Sequence, residues 1–247
     1  MTHDVEAEEL PAAAHVGRVG LCVGSLDRVR PFYEDAVGLT AERDGDRVAL
    51  GPTSDEPLIV LEAAPEAPDR PREAAGLFHL AVRAPDRAAL GDAVTRLRSS
   101  GFSLSGASDH LVSEALYLRD PAGNGVEVYR DRPRDEWPET DDGLVGMETL
   151  PLDLEALEAA GDGQHVDGLP AGTDVGHVHL EVTDLARSES FYADALGLGV
   201  RARYGDDAAF LAAGGYHHHV GLNVWNRRRA PASGRGLAWF EFVLPDG

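Results

Sequence analysis

Between residues 176 and 183, Val178, Leu180 and Val182 alternate with His177, His179 and Glu181. That period of two is what a strand buried on one face requires. The same pattern opens an earlier stretch. Residues 17–39 and 176–198 match at 12 of 23 positions with a constant offset of 159, which marks an internal duplication. In each copy the strand gives way to a polar start and then an amphipathic helix carrying a Phe-Tyr pair, Phe32-Tyr33 and Phe191-Tyr192. Each helix stops at a glycine, Gly38 or Gly197, the usual C-terminal signal. The predicted unit is a strand, a helix and then shorter strands.

A second kind of unit lies between the copies, with a strand over 77–84, a helix over 86–99 and a strand pair over 116–129. Asp120-Pro121-Ala122-Gly123-Asn124-Gly125 separates two apolar-alternating segments, so it reads as a hairpin turn. A fourth unit begins at Gly236, where GLAWFEFVLPDG repeats GLFHLAVRAPD at an offset of 160. It stops after one strand and so reads as truncated. Four strand-helix-strand-strand-strand modules imply an α+β architecture of paired half-barrels. The expected division is a disordered N-terminus over 1–14 and a first domain, modules one and two, over 15–130. An acidic linker with a short helix at 152–160 follows over 131–174, then a second domain, module three and the start of four, over 175–247.

Composition narrows the function. There are 43 Asp and Glu against 22 cations, all of them Arg, for a formal charge of −21. Such a chain repels phosphate backbones and anionic lipid, so neither nucleic acid nor membrane is an expected partner. The excess acid without lysine suits a cytoplasm of high salt, where screening relieves self-repulsion, and a halophilic source is expected. No apolar run approaches the ~20 residues of a membrane helix, and residues 1–14 lack the pattern of a secretion signal. A cytoplasmic location is the default. Cys22 is the only cysteine, which excludes an internal disulfide and a Cys-rich zinc site. A metal here must be held by His and carboxylate.

Three ligand-capable residues lie on alternating strand faces: His79, Glu127 and His177. Singly, His79 reads more readily as a structural or surface histidine and Glu127 as a solvated hairpin acid, and His177 also reads as a strand-edge cap. Together they make a two-His, one-carboxylate face, which suits non-haem Fe(II) and leaves positions open for a chelating substrate and O2. The same set accepts Mn, Ni or Zn. The run Tyr216-His217-His218-His219 precedes another alternating strand, 220–225. A neutral histidine there could act as a base near pH 7. His110, after Asp109, either lines a pocket mouth or caps a turn, with Asp109 placed to orient it. Tyr117, ten positions before Glu127, either packs on the hairpin or donates a hydrogen bond to substrate.

The repeat, the Phe-Tyr helix and the DPxGNxxE hairpin resemble the vicinal oxygen chelate superfamily of glyoxalases, bleomycin-resistance proteins and extradiol dioxygenases. GLFHLAV, SDHLVSEALYLRDPAGNGVEVYRDRP and GGYHHHVGLNVW are similar to the bacterial catechol 2,3-dioxygenase group. The resemblance implies metal ligands at His177, His79 and Glu127, an active-site tyrosine at Tyr117, and a base from the pair His218-His219. His219 is the expected base, with His217 in reserve. It also implies an Fe(II)-dependent extradiol ring-cleaving dioxygenase whose substrates are a small aromatic diol and O2. A glyoxalase-like lyase would need a further carboxylate where Gly221 and Asn223 stand. A metal-free binding module would show a groove lined by Trp225, Trp239 and Tyr216. Because Arg18 replaces a ligand in module one and Trp239 in module four, all three ligands meet only if module two pairs with module three. That pairing fails if His177 lies more than about 10 Å from Glu127, since ligand bonds are ~2 Å long. The competing one-with-two pairing needs His15 as third ligand. Unpaired strand edges would favour a homodimer.

Overall fold

A computed structural model describes residues 9–245. The expected disorder of residues 1–8 lies outside the described residues; from Leu10, whose N–H donates to Gly197 O at 2.9 Å, the chain is anchored. Module one comprises β1 (His15–Val23), α1 (Leu26–Pro31) with a π-helical turn (Phe32–Val37), β2 (Thr40–Asp44), β3 (Arg47–Gly51) and β4 (Ile59–Ala63). Module two comprises β5 (Gly76–Arg83), α2 (Arg87–Ser100), β6 (Gly106–Asp109), β7 (Ser113–Arg119) and β8 (Gly125–Asp131). The connecting segment holds a 3-10 turn (Arg134–Glu136), β9 (Leu150–Pro151) and α3 (Leu154–Glu158). Module three follows with β10 (Asp174–Glu181), α4 (Leu185–Ser190) and a π turn (Phe191–Ala195), β11 (Gly199–Tyr204), β12 (Ala208–Ala212) and β13 (Val220–Asn223). β14 (Gly236–Val243) is the single strand of module four.

Each complete module folds with its first strand parallel to its last, and the first strands of two modules then pair antiparallel. The five-stranded sheet runs β14-β1-β4-β3-β2 and the nine-stranded sheet β11-β12-β13-β10-β5-β8-β7-β6-β9. Module one therefore joins module four through β1 and β14, and module two joins module three through β5 and β10. Strand pairing crosses the sequence order, so each sheet takes a module from either half of the chain. One continuous core draws on both sheets, including Leu21, Phe32, Leu61, Leu80, Leu90, Leu116 and Leu211.

Local chemistry fixes the elements that carry the site. Asp86 caps α2 by accepting the Ala89 N–H at 2.9 Å. Asp120 accepts the N–H groups of Ala122 and Asn124 and the Tyr33 hydroxyl, at 2.8, 2.9 and 3.1 Å. This turn geometry, typical of Asp, ties the module-one helix to the β7–β8 hairpin. The π turn forms after Pro31 in one copy and after Ser190 in the other, so the missing proline N–H is not its cause. The connecting segment is packed rather than loose. Asp92 on α2 accepts the N–H groups of Gly163 and His165 at 3.0 and 2.8 Å, and Leu157 of α3 is fully buried. Gly91 permits this contact, because a Cβ there would stand 2.5 Å from Leu157 O. Among the described residues no helix is long and apolar enough to cross a membrane.

Candidate metal centre

The nine-stranded sheet places β10, β5 and β8 side by side, and its register aligns His177 with Ala81 and Ala81 with Glu127. His177 and Glu127 thus stand two strands apart, roughly 9–10 Å between backbones. The methyl group of Ala81 leaves room for their side chains to lean together. His79, two residues earlier on β5, projects from the same face. The donor atoms converge: His79 Nε2 and His177 Nε2 lie 3.0 and 3.3 Å from Glu127 Oε2, and the two Nε2 atoms are 3.3 Å apart. All three residues are buried. Among the described residues this is the group of three or more potential ligands whose donor atoms gather in this way.

The donor set fits a divalent metal. Cis ligands around an octahedral ion with bonds of ~2.1 Å are separated by roughly 3.0 Å, close to the three distances seen. The protonation states fit as well. Burial alone would raise the Glu127 carboxyl, but the imidazoles of His177 and His79 hold it well below the ordinary value. Burial lowers His177 to about 4 against the opposing pull of Glu127. An ionised carboxylate and a neutral imidazole are the forms that bind metal. The triad opens onto a cavity of about 270 Å³ with apolar walls from Phe78, Phe210, Trp225, Val112 and Met147. That volume is near the lower end for small-molecule sites, ~300 Å³.

A family model described as the Glyoxalase/Bleomycin resistance protein/Dioxygenase superfamily matches residues 14–128 and 174–246. The chain belongs to this superfamily. Over 238 residues it is 43% identical to a catechol-2,3-dioxygenase of Bacillus subtilis, covering 94% of this chain and 83% of that protein. A solved Bacillus subtilis structure described as a candidate dioxygenase superposes with TM-score 0.62 at 14% identity, covering 95% of this chain and 71% of that one. Glyoxalase I from Zea mays gives 0.54 at 18% identity, covering 93% and 74%. These two similarities concern the fold that members of the superfamily share.

The remaining candidate residues divide between the triad's cavity and other places. Tyr117 and His110 line the cavity. The His110 Nδ1–H donates to Glu148 O at 2.6 Å, and its Nε2 lies in hydrogen-bonding contact with the Tyr117 hydroxyl at 2.7 Å. Burial, reinforced by the charge of Glu127, raises the Tyr117 hydroxyl well above its usual value. Asp109 does not orient His110: it accepts from Leu111 N–H and from Arg132, at 2.9 and 2.6 Å. His219, expected as the base, is outside the triad's cavity. It lines a separate one with His15, Arg134 and Tyr216, and its Nδ1 accepts Ala213 N–H at 3.2 Å. His15 is exposed, lines that same separate cavity and does not join the donor cluster. His217 is fully buried behind the cavity, and His218 occupies the wall, its ring 4.1 Å from that of His177.

Strict alternation from Gly221 would have put His219 on the site face, but the chain bends at His217 and His219 and turns His218 inward. His179 is a further wall residue. It directly opposes His79 in the strand register, and its Nε2 accepts from Asn223 Nδ2 at 3.0 Å. The alternation of His177 and His179 carried that signal. Burial holds both His179 and His218 well below the ordinary histidine value. Glu181, third on the same face, is held by Arg70 and Arg228 at 3.2 and 2.9 Å, away from the triad. Trp225, Trp239 and Tyr216 line three different cavities, so within one chain they share no groove.

Proposed function

We propose that this chain is a metal-dependent extradiol dioxygenase that cleaves the ring of catechol or a related vicinal diol. The observation that carries the reading is the convergence of His79, Glu127 and His177 at the floor of a small aromatic-walled cavity that also holds the neutral imidazole of His218. The 43% identity to a catechol-2,3-dioxygenase supports it. Fe(II) bound by these three residues would supply Lewis acidity toward the diol oxygens and the redox chemistry that O2 requires.

The chain's own groups do the rest. His218 takes the role expected of His219, because it faces the cavity and its neutral ring can accept a diol proton. The His110–Tyr117 pair presents a hydroxyl to the substrate, held in place by His110 Nε2. Phe78, Phe210 and Trp225 stack about a flat ring and exclude water, which strengthens every polar interaction at the triad. A glyoxalase-like reading lacks its further carboxylate: Asn223 stands on that strand and is hydrogen-bonded to His179.

Oxygen uptake by anaerobically purified, Fe(II)-loaded protein given catechol tests the proposal, with His79→Ala beside it. Uptake with a coloured ring-opened product that is lost in the variant is expected. Stoichiometric iron binding with no uptake on catechol or substituted catechols would overturn it in favour of a lyase.

A further inference from the structure

Behind the cavity wall runs a buried hydrogen-bonded chain that the proposed reaction has not yet used. His218 Nδ1 lies 2.7 Å from His217 Nδ1. His217 Nε2 lies 2.9 Å from Asp131 Oδ1, and the other carboxylate oxygen, Oδ2, accepts from Arg83 Nη1 at 2.9 Å. The Tyr216 hydroxyl also donates to Asp131 Oδ1, at 3.3 Å. Burial alone would raise the Asp131 carboxyl, but the hydrogen bond from His217 and the charge of Arg83 lower it, so the carboxylate is an acceptor only.

Proton counting along this chain has one solution when each ring carries a single proton. Asp131 can only accept, so the His217 proton sits on Nε2 and its Nδ1 offers a lone pair. The contact between the two Nδ1 atoms needs one proton, which must then come from His218. That leaves His218 Nε2 bare, and it is the nitrogen left for the cavity. We infer that Asp131 is a positioning residue that acts through His217 to fix His218 as its Nδ1–H tautomer, holding a lone pair toward the substrate. The inference rests on the proposed role of His218, and Asp131 touches neither the triad nor the cavity.

Asp131→Asn tests it with a predetermined direction. The Tyr216 hydroxyl can turn its proton to Tyr129, 2.7 Å away, whereas Arg83 can only donate, so the amide oxygen turns to Arg83 and the amide NH2 to His217 Nε2. The bonds then reverse: His217 carries its proton on Nδ1, and His218 is left protonated on Nε2, donating where it had accepted. Side-chain ¹H–¹⁵N correlation spectra of the metal-free protein read the tautomer directly, with His218→Gln identifying the signal. Expected are Nδ1–H for His218 in the unaltered protein and Nε2–H in Asp131→Asn. With Fe(II) and catechol, kcat should fall roughly 10²- to 10⁴-fold, the range of a lost general base, while KM and iron stoichiometry change little.

An Nε2–H signal for His218 in the unaltered protein overturns the inference, even if the variant does not fold. An unchanged tautomer in a folded Asp131→Asn overturns it too. Should the tautomers reverse as expected while the unaltered protein consumes no oxygen, the dioxygenase reading fails and the positioning role of Asp131 stands.

Discussion

The two sheets are assembled from the same module by the same strand order, yet among the described residues a cluster that could hold a metal gathers in just one of them. Where β5 and β10 meet, His79, Glu127 and His177 point their donor atoms at one another. Where β1 and β14 meet, the offset of 159 puts Arg18 at the place of His177, and the offset of 160 puts Trp239 at that of His79. The Arg18 guanidinium grips Glu241, with Nη2 and Nε at 2.7 and 3.0 Å from the carboxylate oxygens. Glu241 itself stands at the position of Ala81, the small residue that opens the triad's space. The Trp239 indole lies against Gly20, where a Cβ would be 2.2 Å from the ring. Strand pairing needs only alternation and backbone hydrogen bonds, so it survives the change of His177, His79 and Ala81 to Arg18, Trp239 and Glu241 at the equivalent positions. The proposed metal site rests on three residues and does not.

The sharpest test of that contrast is Glu127→Gln. Binding of Fe(II) or Zn(II), followed by calorimetric titration, should weaken by more than the roughly 10–100-fold seen when only outer-shell partners are changed. Arg18→Ala, at the corresponding junction, should leave it unaltered. The contrast breaks if both variants bind metal alike.

The duplicated Phe-Tyr helices offer a second test. Phe32 is fully buried, with edge-on contacts to Tyr33 and Phe102 at 5.1 and 5.2 Å, whereas Phe191 is 55% exposed. Denaturant unfolding should show Phe32→Ala losing about 3–5 kcal/mol and Phe191→Ala within about 0.5 kcal/mol of the unaltered protein. Equal losses would mean that the second copy is covered in solution. Gly125→Ala comes next, because its Cβ would meet Phe78 O at 2.0 Å and His79 Cβ at 3.1 Å. A cost of about 1–3 kcal/mol is expected from the overpacking, with weaker metal binding as β8 is pushed from β5.

Acid unfolding separates buried from exposed ion pairs. Burial would raise the Glu114 carboxyl, but hydrogen bonds from Arg87 and Arg130 lower it overall. A carboxyl depressed in the folded state stabilises fully above its unfolded value and loses that contribution as pH falls through the folded one. Melting temperatures across the acid range should therefore fall less steeply in Glu114→Gln. The Arg18–Glu241 pair is substantially exposed, 50% and 37%, so Glu241→Gln should cost below about 1 kcal/mol and hardly alter the acid limb. A matching slope in both variants would put the acid sensitivity elsewhere.

Much of this arrangement was legible from periodicity. The repeat offset, the alternation on β10 and the turn at Asp120 were enough to define the modules. The mismatch of Arg18 and Trp239 pointed to the pairing of module two with module three, and His177 duly lies 3.3 Å from Glu127. What could not be read was whatever departs from alternation or depends on distant contacts. Two bends in the three-histidine run exchange the places of His218 and His219. The connecting segment looked like a linker because its composition is acidic, but buried Asp92 and Arg96 on α2 hold its backbone, Arg96 donating to His165 O at 2.8 Å. Asp131 carried no local signal, since its partners His217 and Arg83 are 86 and 48 positions away.

Strand pairing across the sequence order also governs how the molecule can be made. The strand that carries His79 meets its neighbour only after the 98 further positions to His177 have been synthesised, and Arg18 waits 223 positions for Glu241. During translation β1 and β5 each stand with one edge open, exposing strand surface that invites mispairing. Such non-local closure is slow. Nascent chains should accordingly resist protease late and abruptly, after β14 emerges, rather than in two steps matching the two halves of the sequence.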